Sequence, residues 1–226
     1  MQTSSDDVTF VMATYNRAGL LPRALFSLLH QQRPATEVLV VDDASTDNTW
    51  EVLQNWAVQY PQLRVFHRTT NSGGYHGQLI NGLLSHCQTP WYMVHSDDDG
   101  KRLNCLEVLV AAAEDYDVVY GDSFLHNAPA QRSQDWDPQL LRHHNYIDIG
   151  EALVRTHVWE ELGGYDGTLV GATDWEFWLR LTHAPGQYRV KHVPVCITDY
   201  YFHDQMMTRR PDHHLALQAI KEKYRL

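Results

Sequence analysis

Five short apolar runs, at residues 8–13, 37–41, 63–67, 91–95 and 117–120, alternate with segments of helical periodicity, and few folds accommodate that succession. Each run is continuous rather than alternating apolar with polar, as strands are when both faces of their sheet are covered. Between the runs, Leu20, Leu21, Ala24, Leu25, Leu28 and Leu29 recur at helical spacing and form one apolar stripe. Val52, Leu53, Trp56 and Ala57 form a second, with Ser45 or Asp47 as the expected cap. Leu79, Ile80, Leu83 and Leu84 mark a third, and Leu103, Leu106, Leu109 and Val110 a fourth. This βαβα order predicts an α/β protein built on a doubly wound, mainly parallel sheet flanked by helices. Such sheets bind ligands beyond the carboxyl ends of their strands. Thr14-Tyr15-Asn16, Asp42-Asp43 and His95-Ser96-Asp97-Asp98-Asp99 should therefore crowd one crevice.

The chain has 226 residues, enough for a substantial core, and is expected to form a single domain over residues 1–226. With 43% apolar and 20% charged residues it falls among ordinary globular proteins and outside the disordered class. No apolar stretch reaches membrane-spanning length, and the first seven residues are polar and acidic where a signal peptide is basic and then apolar, so a cytoplasmic location is expected. Three widely spaced cysteines, Cys87, Cys105 and Cys196, suit reduced thiols better than a disulfide framework. With a net charge of −10, non-specific attraction of the whole chain to a polyanion is not expected. From Tyr200 onward the balance reverses, with Arg209, Arg210, Lys221, Lys223 and Arg225 against Asp204, Asp212 and Glu222. That tail reads either as a solvated amphipathic helix or as a contact for an anionic ligand.

Asp97, Asp98 and Asp99 follow an apolar run directly. Three adjacent carboxylates repel one another, and a hard divalent ion, Mg2+ or Mn2+, shared with a substrate's phosphates is the usual compensation. A solvated acidic turn into Gly100 is the alternative. The crevice contains no Gly-rich phosphate loop, so a nucleotide diphosphate held there would need a metal to neutralise it. Asp97-Asp98-Asp99-Gly100 also matches the D-x-D-G opening of haloacid-dehalogenase-like phosphohydrolases, with Asp97 as nucleophile and Asp99 as general acid, although Lys101 replaces the usual Thr or Val and the motif lies far from the N-terminus.

Four segments, in order, resemble glycosyltransferase family 2, the inverting nucleotide-sugar enzymes of GT-A fold. Val11-Met12-Ala13-Thr14-Tyr15-Asn16-Arg17 resembles the family's opening strand and turn, and Val40-Val41-Asp42-Asp43-Ala44-Ser45-Thr46-Asp47 its second-strand signature. Ser96-Asp97-Asp98 resembles its metal motif. Leu162-Gly163-Gly164-Tyr165-Asp166, followed by Asp174-Trp175-Glu176-Phe177-Trp178-Leu179-Arg180-Leu181, resembles its acceptor-side segment and catalytic-base helix. The resemblance implies a donor-nucleotide half up to about residue 100 and an acceptor half beyond it. It implies that Thr14 and Tyr15 meet the nucleotide, with Tyr15 stacked on the base, and that Asp43 accepts a hydrogen bond from the base's imide N–H. An acceptor-only carboxylate there favours a UDP-sugar or dTDP-sugar over a cytidine donor. Asp97 then lies near the ribose, Asp98 coordinates Mn2+ or Mg2+, and Asp174 is the base. Thr173-Asp174-Trp175-Glu176 reads independently as a capping box with Thr173 as N-cap, which places Asp174 where the helix dipole favours its anion.

His203 is a candidate second metal ligand or phosphate donor, and Asp148 and Trp175 are candidate acceptor contacts. His95 stands where many relatives carry an acid, and His76 or Gln78 stands in for a missing cation before the third helix. Residues 127–145 read as a long loop over the acceptor side. With no processive-synthase motif, transfer of one sugar at a time is expected. The acceptor stays open between a saccharide, a lipid-linked glycan, another hydroxyl compound and a nucleic-acid base, the last disfavoured by the acidic charge. A non-catalytic sugar-nucleotide binder is the remaining alternative.

Overall fold

Strands and helices alternate from the start: β1 (Val8–Thr14), α1 (Leu21–Leu29), β2 (Glu37–Asp42), α2 (Thr49–Gln59), β3 (Leu63–His67), α3 (His76–Leu84) and β4 (Trp91–Val94). The second half continues with β5 (Gly100–Lys101), α4 (Cys105–Ala111), β6 (Val118–His126), β7 (Gln131–Arg132), α5 (Pro138–Leu141), a 3-10 turn at Ile149–Glu151, β8 (Ala152–Arg155), α6 (Thr156–Glu161), α7 (Thr173–Thr182), β9 (Val190–Tyr201) and α8 (Pro211–Tyr224). The computed structural model describes residues 4–126, 131–132, 134–184, 187–202, 206, 209 and 211–226.

The described strands form one sheet in the order β3-β2-β1-β4-β8-β6-β9-β5, with β7 paired to β6. β1, β2, β3 and β4 run parallel, as do β6 and β9. β8 is antiparallel to both neighbours and joins the two halves, pairing Trp91 with Arg155 and Val118 with Val154. Alternation along β1 divides the core in two. Phe10 and Met12 pack with Leu21 and Leu25 of α1 and Leu106 of α4 on one face. Val11 packs on the other with Ile80 and Leu83 of α3 and Trp178 of α7.

Several local expectations are corrected. The cap of α2 falls at Asn48, which makes no side-chain cap bond, while Asp47 just before it accepts the Thr49 amide at 3.0 Å. Ser45 turns instead to Asp42. The expected loop over residues 127–145 holds β7 and α5, the latter capped by Asp137, whose carboxylate accepts the amides of Gln139 and Leu140 ahead of a favourable first-turn proline. Cys87, Cys105 and Cys196 are free thiols. Among the described residues no helix is long and apolar enough to cross a membrane.

α7 is anchored by a buried carboxylate. Glu176 is 0% exposed and receives Arg180, Lys223 and Tyr224, tying α7 to α8. Arg180 also donates to the carbonyls of Leu162 and Gly164, fixing the turn in which Gly163 and Gly164 adopt left-handed φ values of 78° and 79°. Glu176→Ala takes one acceptor from Arg180, Lys223 and Tyr224 and is expected to destabilise the protein by about 2 kcal/mol, below the range for a fully buried pair because Arg180 and Lys223 keep other acceptors and reach solvent. Denaturant titration reads this as a lower midpoint, with a smaller drop for Glu176→Gln.

Candidate active site

The carboxyl ends of β1, β2 and β4 open into a cleft of about 910 Å3, which the start of α7 and one stripe of α8 also border. Two left-handed residues other than glycine shape it: Asn16, with φ 52°, turns the chain out of β1, and Ala172, also at 52°, turns it into α7. Asparagine tolerates that region, whereas alanine there carries strain.

The neighbours Asp42 and Asp43 divide their work. Asp42 is fully buried and accepts from the Ser45 hydroxyl and from His67 at 2.9 Å, so it locks the β2 turn. Asp43 borders the cleft at 3% exposure, and its carboxylate meets the Ser72 amide at 2.9 Å, the Ser72 hydroxyl at 2.6 Å and Arg68 at 3.1 Å. Tyr15, 43% exposed, borders the cleft.

Asp97, Asp98 and Asp99 all line the cleft, each in a different setting. Burial, and after it the charge of Asp98, raise the Asp97 carboxyl to about 6, against the lowering influence of the Thr14 hydroxyl, Arg17 and the Tyr15 amide. The Arg17 guanidinium stands 3.6 Å from Asp97. Asp99 is buried and accepts the Tyr201 amide at 3.0 Å, so it anchors the end of β9 and is not solvated. Burial and then Asp98 raise Asp99 to about 8. The Asp98 carbonyl accepts from Arg23, which stacks on Tyr201 at 3.8 Å. Among the described residues no three His, Cys, Asp or Glu side chains are grouped to hold a metal by themselves. The donor chemistry nevertheless fits a magnesium-like ion, which takes one or two carboxylates and completes its shell with water and substrate phosphates.

His95 does not join the acids. It is buried away from the cleft, neither ring nitrogen has a hydrogen-bond partner among the described residues, and burial holds it well below the usual histidine range, so it is neutral. His76 does border the cleft, and desolvation lowers it to about 4 against the opposing pull of Asp148 and Asp98. Gln78 faces elsewhere, donating to the Gly167 carbonyl at 2.7 Å. His203 lies outside the described residues.

The capping-box expectation at α7 fails in one detail. The helix begins at Thr173 with Ala172 in the cap position and no side-chain cap bond, so Asp174 is the second helical residue. Its Oδ1 accepts the Trp175 amide at 2.8 Å, and its Oδ2 accepts Asn145 Nδ2 at 3.1 Å. Trp175 and Trp178 hold the facing segment by donating their indole N–H groups to the carbonyls of Leu141 and Ile147 at 2.7 and 2.9 Å. These two clamps bring residues 143–145 to the cleft beside Asp174. Trp175 is buried, its polar atom already engaged, and it forms packed floor rather than a hydrogen-bonding contact. Asp148 borders the cleft while its Oδ1 caps the 3-10 turn through the Gly150 amide at 2.9 Å. Asn145 was not singled out by sequence reasoning; only its place just before the Tyr146-Ile147-Asp148 run hinted at it.

The sheet and its cleft define a GT-A fold. TarS of S. aureus bound to UDP-GlcNAc matches with a TM-score of 0.79 at 20% identity, covering 96% of this chain and 66% of that one. The mannosyltransferase PcManGT of Pyrobaculum calidifontis, in complex with GDP-Man and Mn2+, matches with a TM-score of 0.72 at 22% identity over 96% of this chain and 63% of that one. In sequence, the chain is 33% identical over 122 residues to the uncharacterized glycosyltransferase MG060 homolog of Mycoplasma pneumoniae, which spans 51% of this chain and 40% of that protein. The family model for glycosyl transferase family 2 matches residues 9–157, well over half of the chain, and the chain belongs to that family of glycosyltransferases. Membership removes the phosphohydrolase alternative built on Asp97 and Asp99.

Proposed function

We propose that this chain is a metal-dependent, inverting, non-processive glycosyltransferase that moves one sugar from a UDP- or dTDP-sugar to an acceptor hydroxyl. The observation that carries the reading is the convergence of Tyr15, Asp43, Asp97, Asp98 and Asp174 on one cleft. Tyr15 stacks on the base. Asp43 receives the base imide N–H, for which it gives up one of its present donors from the 68–72 segment. Asp97, with Thr14 and Tyr15 beside it, faces the ribose. Asp98 would hold the divalent metal, whose chemistry would be to offset negative charge on the leaving group.

Asp174 then accepts the proton of the acceptor hydroxyl while the hydroxyl oxygen attacks the anomeric carbon. The bond from that carbon to the phosphate oxygen breaks as the new bond forms, the electron pair leaves with the nucleoside diphosphate, and a single displacement inverts the centre. The acceptor is a saccharide, a lipid-linked glycan or another hydroxyl compound. A nucleic-acid acceptor fits the acidic chain poorly.

Calorimetric titration of UDP with and without Mn2+ tests the donor site. Micromolar, Mn2+-dependent binding is expected, weakening as pH falls from about 8 towards about 6. Asp99 and then Asp97 take up protons over that interval, and a proton there competes with the cation. Equal affinity with and without Mn2+, or no binding of either UDP or dTDP, overturns the reading.

A further inference from the structure

Arg17 is engaged with Asp97, Arg68 with Asp43, Arg23 with the Asp98 carbonyl, and Lys223 of α8 with Asp166 and Glu176. The wall formed by α8 is different. His213, Leu217 and Lys221 follow one another at intervals of four on α8, so they share a face, and all three border the cleft. His213 Nδ1 is buried without a hydrogen-bond partner among the described residues. His143 and His144 border the same cleft from the segment clamped by Trp175 and Trp178. Among the described residues the side chains of His143, His144 and Lys221 form neither a hydrogen bond nor an ion pair. Burial, and after it His214, hold His213 below the usual histidine range, so the wall offers an uncharged imidazole beside the exposed side chains of His143, His144 and Lys221, a set of nitrogen donors with no carboxylate bound to them among the described residues.

Directly beside that wall, Asn145 uses only half of its amide. Nδ2 donates to Asp174, while Oδ1 is buried and has no partner among the described residues. The amide cannot be turned round without setting its oxygen against the carboxylate. Next to the proposed base there is therefore an empty acceptor for a hydroxyl proton, and next to that a set of donors for an anion.

We propose that this wall binds a phosphomonoester carried by the sugar acceptor. The hydroxyl to be glycosylated rests between Asn145 Oδ1 and Asp174, and the phosphate is held by His143, His144, His213 and Lys221. A dianion matches several converging nitrogen donors better than a carboxylate does. Its binding also offsets its repulsion from the donor diphosphate across the cleft. The inference rests on the glycosyltransferase reading of Asp174.

Glycerol 3-phosphate and glycerol are titrated calorimetrically into the protein, alone and with UDP and Mn2+, and the titrations are repeated with Lys221→Ala and with the double substitution His143→Ala/His144→Ala. Glycerol 3-phosphate is expected to bind and glycerol not to. Each variant is expected to weaken the phosphate probe by roughly tenfold, with unchanged melting and with UDP affinity held within about twofold. Sedimentation with phosphatidylcholine vesicles containing phosphatidic acid separates the two sources of the same group. Vesicle binding assigns a lipid headgroup, and binding of the soluble probe alone assigns a soluble phosphorylated acceptor. Equal binding of both glycerol probes, binding of neither, or full probe affinity in the variants overturns the inference. So does a parallel loss of UDP affinity, which assigns the bases to the donor diphosphate. Loss of UDP binding by the unaltered protein, with the phosphate probe still bound, fails the donor reading alone.

Discussion

Asp174→Asn is expected to slow turnover of the donor sugar by about a thousandfold, within the range for loss of a positioned general base, while UDP affinity stays within about twofold. The substitution keeps the size of the side chain. Its carbonyl oxygen can still accept the Trp175 amide, but the amide group cannot take a proton from a hydroxyl. Release of UDP from a panel of UDP-sugars measures the rate, and calorimetry measures the affinity. Turnover at the original rate places the base elsewhere. Unaltered protein that binds UDP but turns over no donor in the panel favours the non-catalytic binder.

Asp98→Ala is expected to remove the Mn2+ dependence of UDP binding and weaken it by about a hundredfold, the scale for losing a metal ligand shared with a diphosphate. The same substitution carries a second, opposite expectation. The Asp98 charge helps to raise Asp97 and Asp99, so ionising those two costs the folded state free energy. A carboxyl raised above its unfolded value lowers stability as pH rises through its folded value. Deleting Asp98 relieves part of that cost above pH 8, where both carboxyls are ionised, and relieves less at pH 5, where both are largely protonated in the unaltered protein. Melting without metal at the two pH values reads the difference, and a variant less stable at pH 8 contradicts the electrostatic account.

Much of the site was legible because its residues follow strand ends. Thr14, Asp43 and Asp97 stand just past β1, β2 and β4, and once those strands run parallel their carboxyl ends must meet. What sequence could not supply was the far wall. β8 is four residues long, too short for a periodic signal, and Pro194 interrupts β9, so neither strand announced itself and the antiparallel insertion went unseen. The partners of Asp174 were hidden for a related reason. Asn145 reaches it only because two indole N–H groups, from residues that read mainly as core, bind the carbonyls of a distant turn. The basic tail was seen, but its cleft-facing stripe depended on how α8 packs, and that is set by buried Ala216 and Ile220 and by the bonds of Lys223 and Tyr224 to Glu176.

The place of β8 also governs how the chain emerges from the ribosome. β1, β2, β3 and β4 can assemble early, since their parallel pairings lie within the first hundred residues. The outer edge of β4 nevertheless stays unpaired until Arg155 reaches Trp91, and β6 lacks its second neighbour until Val190 reaches Val118. During that interval a fully buried type of strand, Trp91-Tyr92-Met93-Val94, is an open template for another nascent chain. Some sixty further residues are made while that four-residue edge is open.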